Sequence, residues 1–202
     1  MEPFETFIWK RIFVQLGGVI AISAILGGFI LTYNAAYNSV VNLDQQADER
    51  WAGIAQDMQG RYGEIPGLLS SLGNSPGSDA LGVGEVARNM SALETAMKEG
   101  DIGKISTATT NFEASLSYLS AALKGRPDVA ASPEVEDFLS TLNGTEERLS
   151  VDQLMYNEAI QAYNLEISSF PASLWAYNWG YGRREYFTAR IGGLEPPSVP
   201  AD

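Results

Sequence analysis

From Ile12 to Tyr33 the chain carries no charge and one strongly polar side chain, Gln15; beyond Tyr33 its apolar residues fall into helical spacing. As a helix, the uncharged run spans about 33 Å, enough to cross a hydrocarbon core of about 30 Å. Lipid offers the backbone no water, so a helix satisfies the peptide groups where an irregular chain would not. The continuation Tyr33-Asn34-Ala35-Ala36-Tyr37-Asn38 contains neither Pro nor Gly, and the helix is expected to run on past the membrane surface. A cleaved secretory signal is the competing reading. Against it, the apolar run exceeds the usual h-region and no small-residue cleavage site with a break follows. Gly17, Ala21, Ala24 and Gly28 recur at three- and four-residue steps and form a candidate face for packing against another membrane helix, although Gly and Ala are common in such helices in general.

After the anchor, Tyr37, Val40, Asp44, Ala47, Trp51, Ile54, Met58 and Ile65 keep one stripe toward a partner helix, with Pro66 interrupting the pattern and the helix reaching about Leu72. Gly73–Asp79 is a breaker. A second helix is expected over about Ala80–Lys98 and a third over about Ile102–Leu123, closed by Gly125 and Pro127. The fourth opens with Ser132 as N-cap, Pro133 as first helical residue and Glu134, Glu136 and Asp137 in the first turn. A strict seven-residue repeat then runs through Val135, Leu142, Leu149, Tyr156 and Tyr163, with Leu139, Glu146, Gln153, Ile160 and Ile167 as companions. Such a repeat marks a helix packed lengthwise on others, as in a bundle or coiled coil. Glu146 and Gln153 interrupt the apolar seam, and either find partners across the bundle or face a wet groove.

The expected fold is therefore all-α: an N-terminal transmembrane helix continuing into an elongated antiparallel up-down-up-down four-helix bundle. The helix beyond the membrane and the fourth helix come to about 58 and 54 Å, so the fourth returns along the first and brings Phe170 near Tyr33. The stretch that follows holds Trp175, Tyr177, Trp179, Tyr181, Tyr186 and Phe187 with Arg183 and Arg184. Rings with a few basic groups settle at a headgroup boundary, which makes Tyr33, Trp175, Trp179, Tyr181, Arg183 and Arg184 candidate interfacial residues; the alternative is a plug on the end of the core. The expected divisions are a leader, 1–11, an anchor, 12–33, a bundle with an aromatic C-terminal cap, 34–190, and a disordered tail, 191–202.

Charge sets the expected location. Lys10 and Arg11 precede the span and the next basic residue is Arg50, so the N-terminus is expected in the cytoplasm and the bundle outside a single-pass cell-membrane protein. Glu2, Glu5, Lys10 and Arg11 cancel, which leaves the net charge of −12 on the body. An acidic body disfavours nucleic acid and anionic lipid as partners. Cysteine and histidine are both absent, removing disulfides, thiolate chemistry and the commonest general base and metal ligand.

Three stretches resemble the LemA family of membrane-anchored helical proteins. Tyr37-Asn38-Ser-Val-Val41, Trp51-Ala52-Gly-Ile54, Arg61-Tyr62 and Ile65-Pro66 are similar to its first-helix signature. Asn143-Gly-Thr-Glu-Glu147, Tyr156-Asn157-Glu-Ala-Ile160 and Tyr163-Asn164 resemble its last helix, and Phe170-Pro171 with Glu185-Tyr186-Phe187 its ending. Departures fall at Gly73–Gly84, Arg126-Pro127-Asp128-Val129 and Asp152-Gln153-Leu154. The resemblance implies a single-pass protein with a long four-helix domain, no agreed activity and no catalytic residues to carry over. Family descriptions with the N-terminus outside differ from the reading that Lys10 and Arg11 support.

Tyr-Asn recurs at 33–34, 37–38, 156–157, 163–164 and 177–178. Tyr37, Asn38, Trp51, Glu146, Gln153, Tyr156, Asn157, Tyr163 and Asn164 are thus candidates either for a partner surface or for a register lock inside one bundle. Glu146-Glu147-Arg148 reads as a solvated face or ion pair rather than an acid–base site. No Glu-x-x-His pair or Asp-x-Asp-x-Asp-Gly loop occurs, and no catalytic residue, metal ligand or cofactor is expected. The expected function is a non-catalytic scaffold or interaction module at the bilayer that meets copies of itself or another membrane protein. The alternatives are a pilin-like filament subunit, or a ligand-sensing bundle working with a separate membrane partner.

Overall fold

The computed structural model describes residues 3–73, 78–126, 131–192 and 196, with side chains from Gln15 onward. Among these residues the fold is all-α, without a strand. The described residues form, in order, the helices α1 (Pro3–Tyr62), α2 (Ile65–Gly73), α3 (Val83–Glu99), α4 (Ile102–Lys124) and α5 (Pro133–Ser168). Short 3-10 turns occupy Ser78–Leu81 and Ala172–Leu174.

α1 runs through Tyr33 without a break for 60 residues. Where its apolar run ends, Thr32 donates to the carbonyls of Gly28 and Phe29, and Asn34 to that of Ile30. These polar side chains are thereby satisfied by their own helix. α1 stops at Tyr62, before the proline rather than at it. The Pro66 ring would clash with the carbonyl four residues back, which is that of Tyr62, while Pro66 itself sits without penalty in the first turn of α2.

The third helix of the chain starts at Val83, later than the expected Ala80, because Gly82 takes a left-handed φ of 75° after the 3-10 turn. At its far end Gly100, φ 73°, donates to the carbonyl of Ala96, a left-handed stop that a side chain would strain. α4 is capped by Asp101, whose carboxylate accepts from the amide of Lys104 at 2.9 Å. The limits of α5 coincide with the expected Pro133–Ser168, and Ser132 accepts from Val135 at a long 3.4 Å.

The chain divides into two compact units, residues 1–43 with 165–182, and 44–164 with 183–202. The larger holds the main core: Ile54 and Met58 of α1, Ile65 and Leu68 of α2, Val86 and Leu93 of α3, Phe112, Leu116 and Leu119 of α4, and Leu149 and Ile160 of α5. Phe138 is buried in place of Leu139, which is half-buried. Three residues beyond α5, Phe187, Ala189 and Ile191, complete this core. The expected tail therefore begins later than residue 191: Ile191 is buried and the Gly192 amide is hydrogen-bonded, while 193–195 and 197–202 lie outside the described residues. The smaller unit buries little. Its inward residues are Ala36, Val40, Ile167, Ala172 and Ala176.

Candidate functional site

In the larger unit, residues 183–192 follow no regular structure, yet buried backbone requires partners. Side chains supply them. The Asn157 amide donates to the carbonyl of Phe187 at 2.8 Å, and its oxygen accepts the Phe187 N–H at 2.9 Å. Asn164 holds both backbone groups of Arg184 in the same way, each at 2.9 Å. Gln153 donates to the carbonyls of Phe187 and Ala189, and the Tyr156 hydroxyl to that of Glu185. From α4, Ser106, Thr110 and Glu113 accept the amides of Thr188, Arg190 and Gly192. In return the Glu185 carboxylate accepts the Gly103 amide in the first turn of α4, a favourable place for negative charge.

These contacts answer the question raised by Gln153 in the apolar seam: it is buried, with partners on the C-terminal segment. Asn157 and Asn164, expected as a register lock or partner surface, turn their amides to that same backbone. Trp51 packs tilted against Tyr156 and edge-on against Phe187, each at 5.5 Å between centroids. Burial pushes the Tyr156 hydroxyl up to about 12. Arg184, grouped above with interfacial residues, bridges Asp44 and Asp48 at 2.8 and 2.7 Å and lies over the Tyr163 ring. Burial works against its charge, but Asp48 and Asp44 outweigh it and hold the guanidinium above its ordinary value.

The polar heart of this unit is Arg61 with Glu113, 3% and 2% exposed. The pair is bidentate, at 2.7 and 3.0 Å. Glu113 also accepts from the Tyr62 hydroxyl at 2.6 Å and from the Gly192 amide at 3.1 Å. The remaining Arg61 nitrogen donates to Thr145 at 2.8 Å and to the carbonyl of Leu142. One network thus joins α1, α4, α5 and the C-terminal segment. Burial opposes the Arg61 charge, yet the hydrogen bonds and charge of Glu113 carry it above its ordinary value. Burial and then the Glu113 charge raise Tyr62 well above normal, so it remains a neutral donor. Glu146 is half-buried beside Gly192, whose φ is 60°; a Cβ there would run into the Glu146 carboxylate. Sequence reasoning missed Glu113 and its partner. The available signal was a carboxylate next to Phe112 on the apolar stripe of α4.

A carboxylate pair also crosses from α1 to α5. Asp57 takes both Arg148 contacts, at 2.7 and 3.0 Å, and hydrogen bonding to Asp57, then burial, raises Asp152 above its ordinary 3.8. A carboxyl raised in the folded state holds its proton more tightly there than when unfolded. Its contribution is therefore present at low pH and is lost as pH rises from near 3.8 through the raised value. Asp152→Asn is expected to stabilise the bundle at pH 7 by roughly 0.2–1 kcal/mol, the scale of partly exposed charge pairs. Thermal melts of both proteins across pH should converge as the pH falls; a constant gap would rule this out.

In the smaller unit, aromatic rings gather on successive turns of α1. Trp175 packs edge-on to Phe29 and Tyr33, and Trp179 to Tyr33 and Tyr37, with centroids 5.2–5.5 Å apart. The Trp179 indole donates to the Tyr33 hydroxyl at 2.8 Å. Residues after α5 thus meet α1 around Tyr33. Tyr181 is half-buried and Arg183 exposed, while Asn38 faces outward. Of the five Tyr-Asn pairs, 156–157 and 163–164 belong to the larger unit and the others to the smaller. Gly17, Ala21, Ala24 and Gly28 are exposed, and a Cβ at either glycine would meet nothing within 4 Å apart from its own stretch of helix backbone. The side chains of Lys10 and Arg11 lie outside those described. Among the described residues no group of three or more acidic, His or Cys side chains could hold a metal. An open apolar groove of about 540 Å³ is lined by Met58, Tyr62, Met90, Leu93, Met97 and Phe112, with Gln59, Glu94 and Lys98 at its polar edge.

Comparison with known proteins adds the lineage. The model of the LemA family matches residues 50–200. Magnetosome protein MamQ 1 and Magnetosome protein MamQ 2 of Paramagnetospirillum magneticum are each 30% identical to this chain over 120 residues, covering 54% of it and 44% of either relative. The chain thus spans under half the length of those two proteins. Magnetosome protein MamQ of Magnetospirillum gryphiswaldense is 25% identical over 211 aligned positions, 93% of this chain and 77% of the relative. The family match includes the end of α1, the Arg61–Glu113 network and the clamp on the C-terminal segment, and this chain belongs to the LemA family.

Proposed function

We propose that this protein is a non-catalytic, single-pass scaffold of the cell membrane, with α1 crossing the bilayer and copies associating along the Gly17, Ala21, Ala24 and Gly28 face. The observation that carries the reading is the apolar part of α1. One helix among those described is long and apolar enough to cross a membrane, and none of that apolar window is buried within the chain. Leu16, Ile20, Ile25, Leu26 and Leu31 all stand more than half exposed. Water is a costly neighbour for so continuous an apolar surface, and lipid or another such helix is a good one.

An elongated antiparallel up-down-up-down bundle is the arrangement we favour for the larger unit. Arg50 meets Met155, Asp57 meets Arg148 and Arg61 meets Thr145, so contacts climb α1 as they descend α5. A scaffold rather than a reaction centre is supported by what the buried polar groups do: Glu113, Gln153, Asn157 and Asn164 all hold protein. Lys10 and Arg11 favour a cytoplasmic N-terminus. The methionine-lined groove supports a ligand-sensing bundle as a second reading.

Absence of native cysteine makes the assembly directly testable. Single cysteines at Gly17, Ala21, Ala24 or Gly28, oxidised in native membranes, should give disulfide-linked dimers, whereas Val19 and Leu26 on the opposite face should not. Equal yields at all six positions, or none at any, would remove self-association through this face.

A further inference from the structure

The smaller unit concentrates apolar exposure beyond what a crossing helix needs. Across residues 12–43 and 165–182 the sole charged residue is Glu166. Of the large apolar side chains that stand exposed among the described residues, all but Tyr118, Val151, Leu154 and Met155 belong to this unit. They include three on the turn after α5: Phe170 at 81%, Leu174 at 58% and Tyr177 at 90%. The same turn uses Trp175 and Trp179 differently. Those rings pack on Phe29, Tyr33 and Tyr37, with the Trp179 N–H donating to Tyr33. The tryptophans thus fasten the turn to α1, while Phe170, Leu174 and Tyr177 face outward.

Resting on the membrane reading of α1, we infer that the turn Phe170–Tyr177 is a second lipid contact, inserted into the interfacial layer of the leaflet from which α1 emerges. Its depth follows from its attachment. Phe29 to Tyr37 is about 12 Å of helix, which begins inside the apolar run and ends beyond it, comparable with the passage from hydrocarbon edge through headgroups. Phe170 and Leu174 are purely apolar, and Tyr177 offers a ring with a polar tip, the chemistry that settles at this boundary. The partner is a bilayer surface without a charge requirement, since no Lys or Arg lies between Ile167 and Gly182. Two separated contacts fix the rotation of α1 about its own axis, which a lone helix in lipid does not.

The test uses the full chain in phosphatidylcholine vesicles, with single cysteines carrying an environment-sensitive nitrobenzoxadiazole label. Leu174→Cys and Tyr177→Cys probe the turn, Leu26→Cys the crossing segment, and Glu85→Cys on α3 serves as the water reference. All four positions are exposed, so the substitutions leave packing intact. Lipids spin-labelled near the headgroup should quench labels at 174 and 177 several-fold more than at 85, and lipids labelled deep in the acyl chain should favour 26. A label at 26 quenched by lipid with 174 and 177 matching 85 overturns the inference and leaves the anchor standing. Loss of quenching at 26 as well overturns both.

Discussion

Arg61→Met is expected to lower the unfolding free energy of the bundle by about 3–5 kcal/mol, because it leaves a buried carboxylate without its cation. Glu113 would retain the Tyr62 hydroxyl and the Gly192 amide, two neutral donors in place of a bidentate guanidinium. The substitution also strips the donors that reach Thr145 and Leu142 on α5. Pairing it with Glu113→Gln should restore part of the loss, since the amide oxygen still accepts from Gly192, its NH2 can donate to the Tyr62 hydroxyl oxygen, and no lone charge remains. Guanidinium titration of the full chain in nonionic micelles measures both. A single-variant loss below about 1 kcal/mol would contradict the structural role given to this pair.

Phe187→Ala should cost a similar amount, about 3–5 kcal/mol. The ring is fully buried and packs against Trp51, so its removal leaves a cavity on the path between α1 and α5. Asn157→Leu should cost less, about 1–3 kcal/mol, because the Phe187 carbonyl retains Gln153 and only its N–H is orphaned. Hydrogen exchange distinguishes the two losses from general unfolding. Both variants should release amides of residues 184–192 well before those of α4, and simultaneous release of every segment would show that the C-terminal segment is not a separate unit.

The helices were legible because their signals are local. Ser132-Pro133 and the seven-residue repeat mark α5, and Asp101 caps α4, with no information needed from elsewhere. α3 began late because a left-handed Gly82 reads in sequence like any other glycine. The polar contacts were less legible for a different reason. Arg61 and Glu113 are ordinary surface residues by type, and only proximity across 52 positions makes them a buried pair. Gln153, Asn157 and Asn164 stood out as polar breaks in an apolar stripe, but their targets are main-chain groups, which every residue possesses and no residue type advertises. Aromatic residues around Trp175 were visible as a group. Which of them grip α1 and which turn away depends on orientation within the turn, and the sequence does not encode that in any simple period.

The stretch of core that follows α5, residues 184–192, is also the one that α4 and α5 hold. While the ribosome is still short of Phe187, α1 to α5 are already made but have no ring to lay against Trp51 and no backbone for Asn157 to grasp. Closure of this core therefore waits until residues 184–192 have emerged. The nascent chain thus passes through an interval in which Phe187, the largest core residue after α5, is still missing and Trp51 lies open to a chaperone.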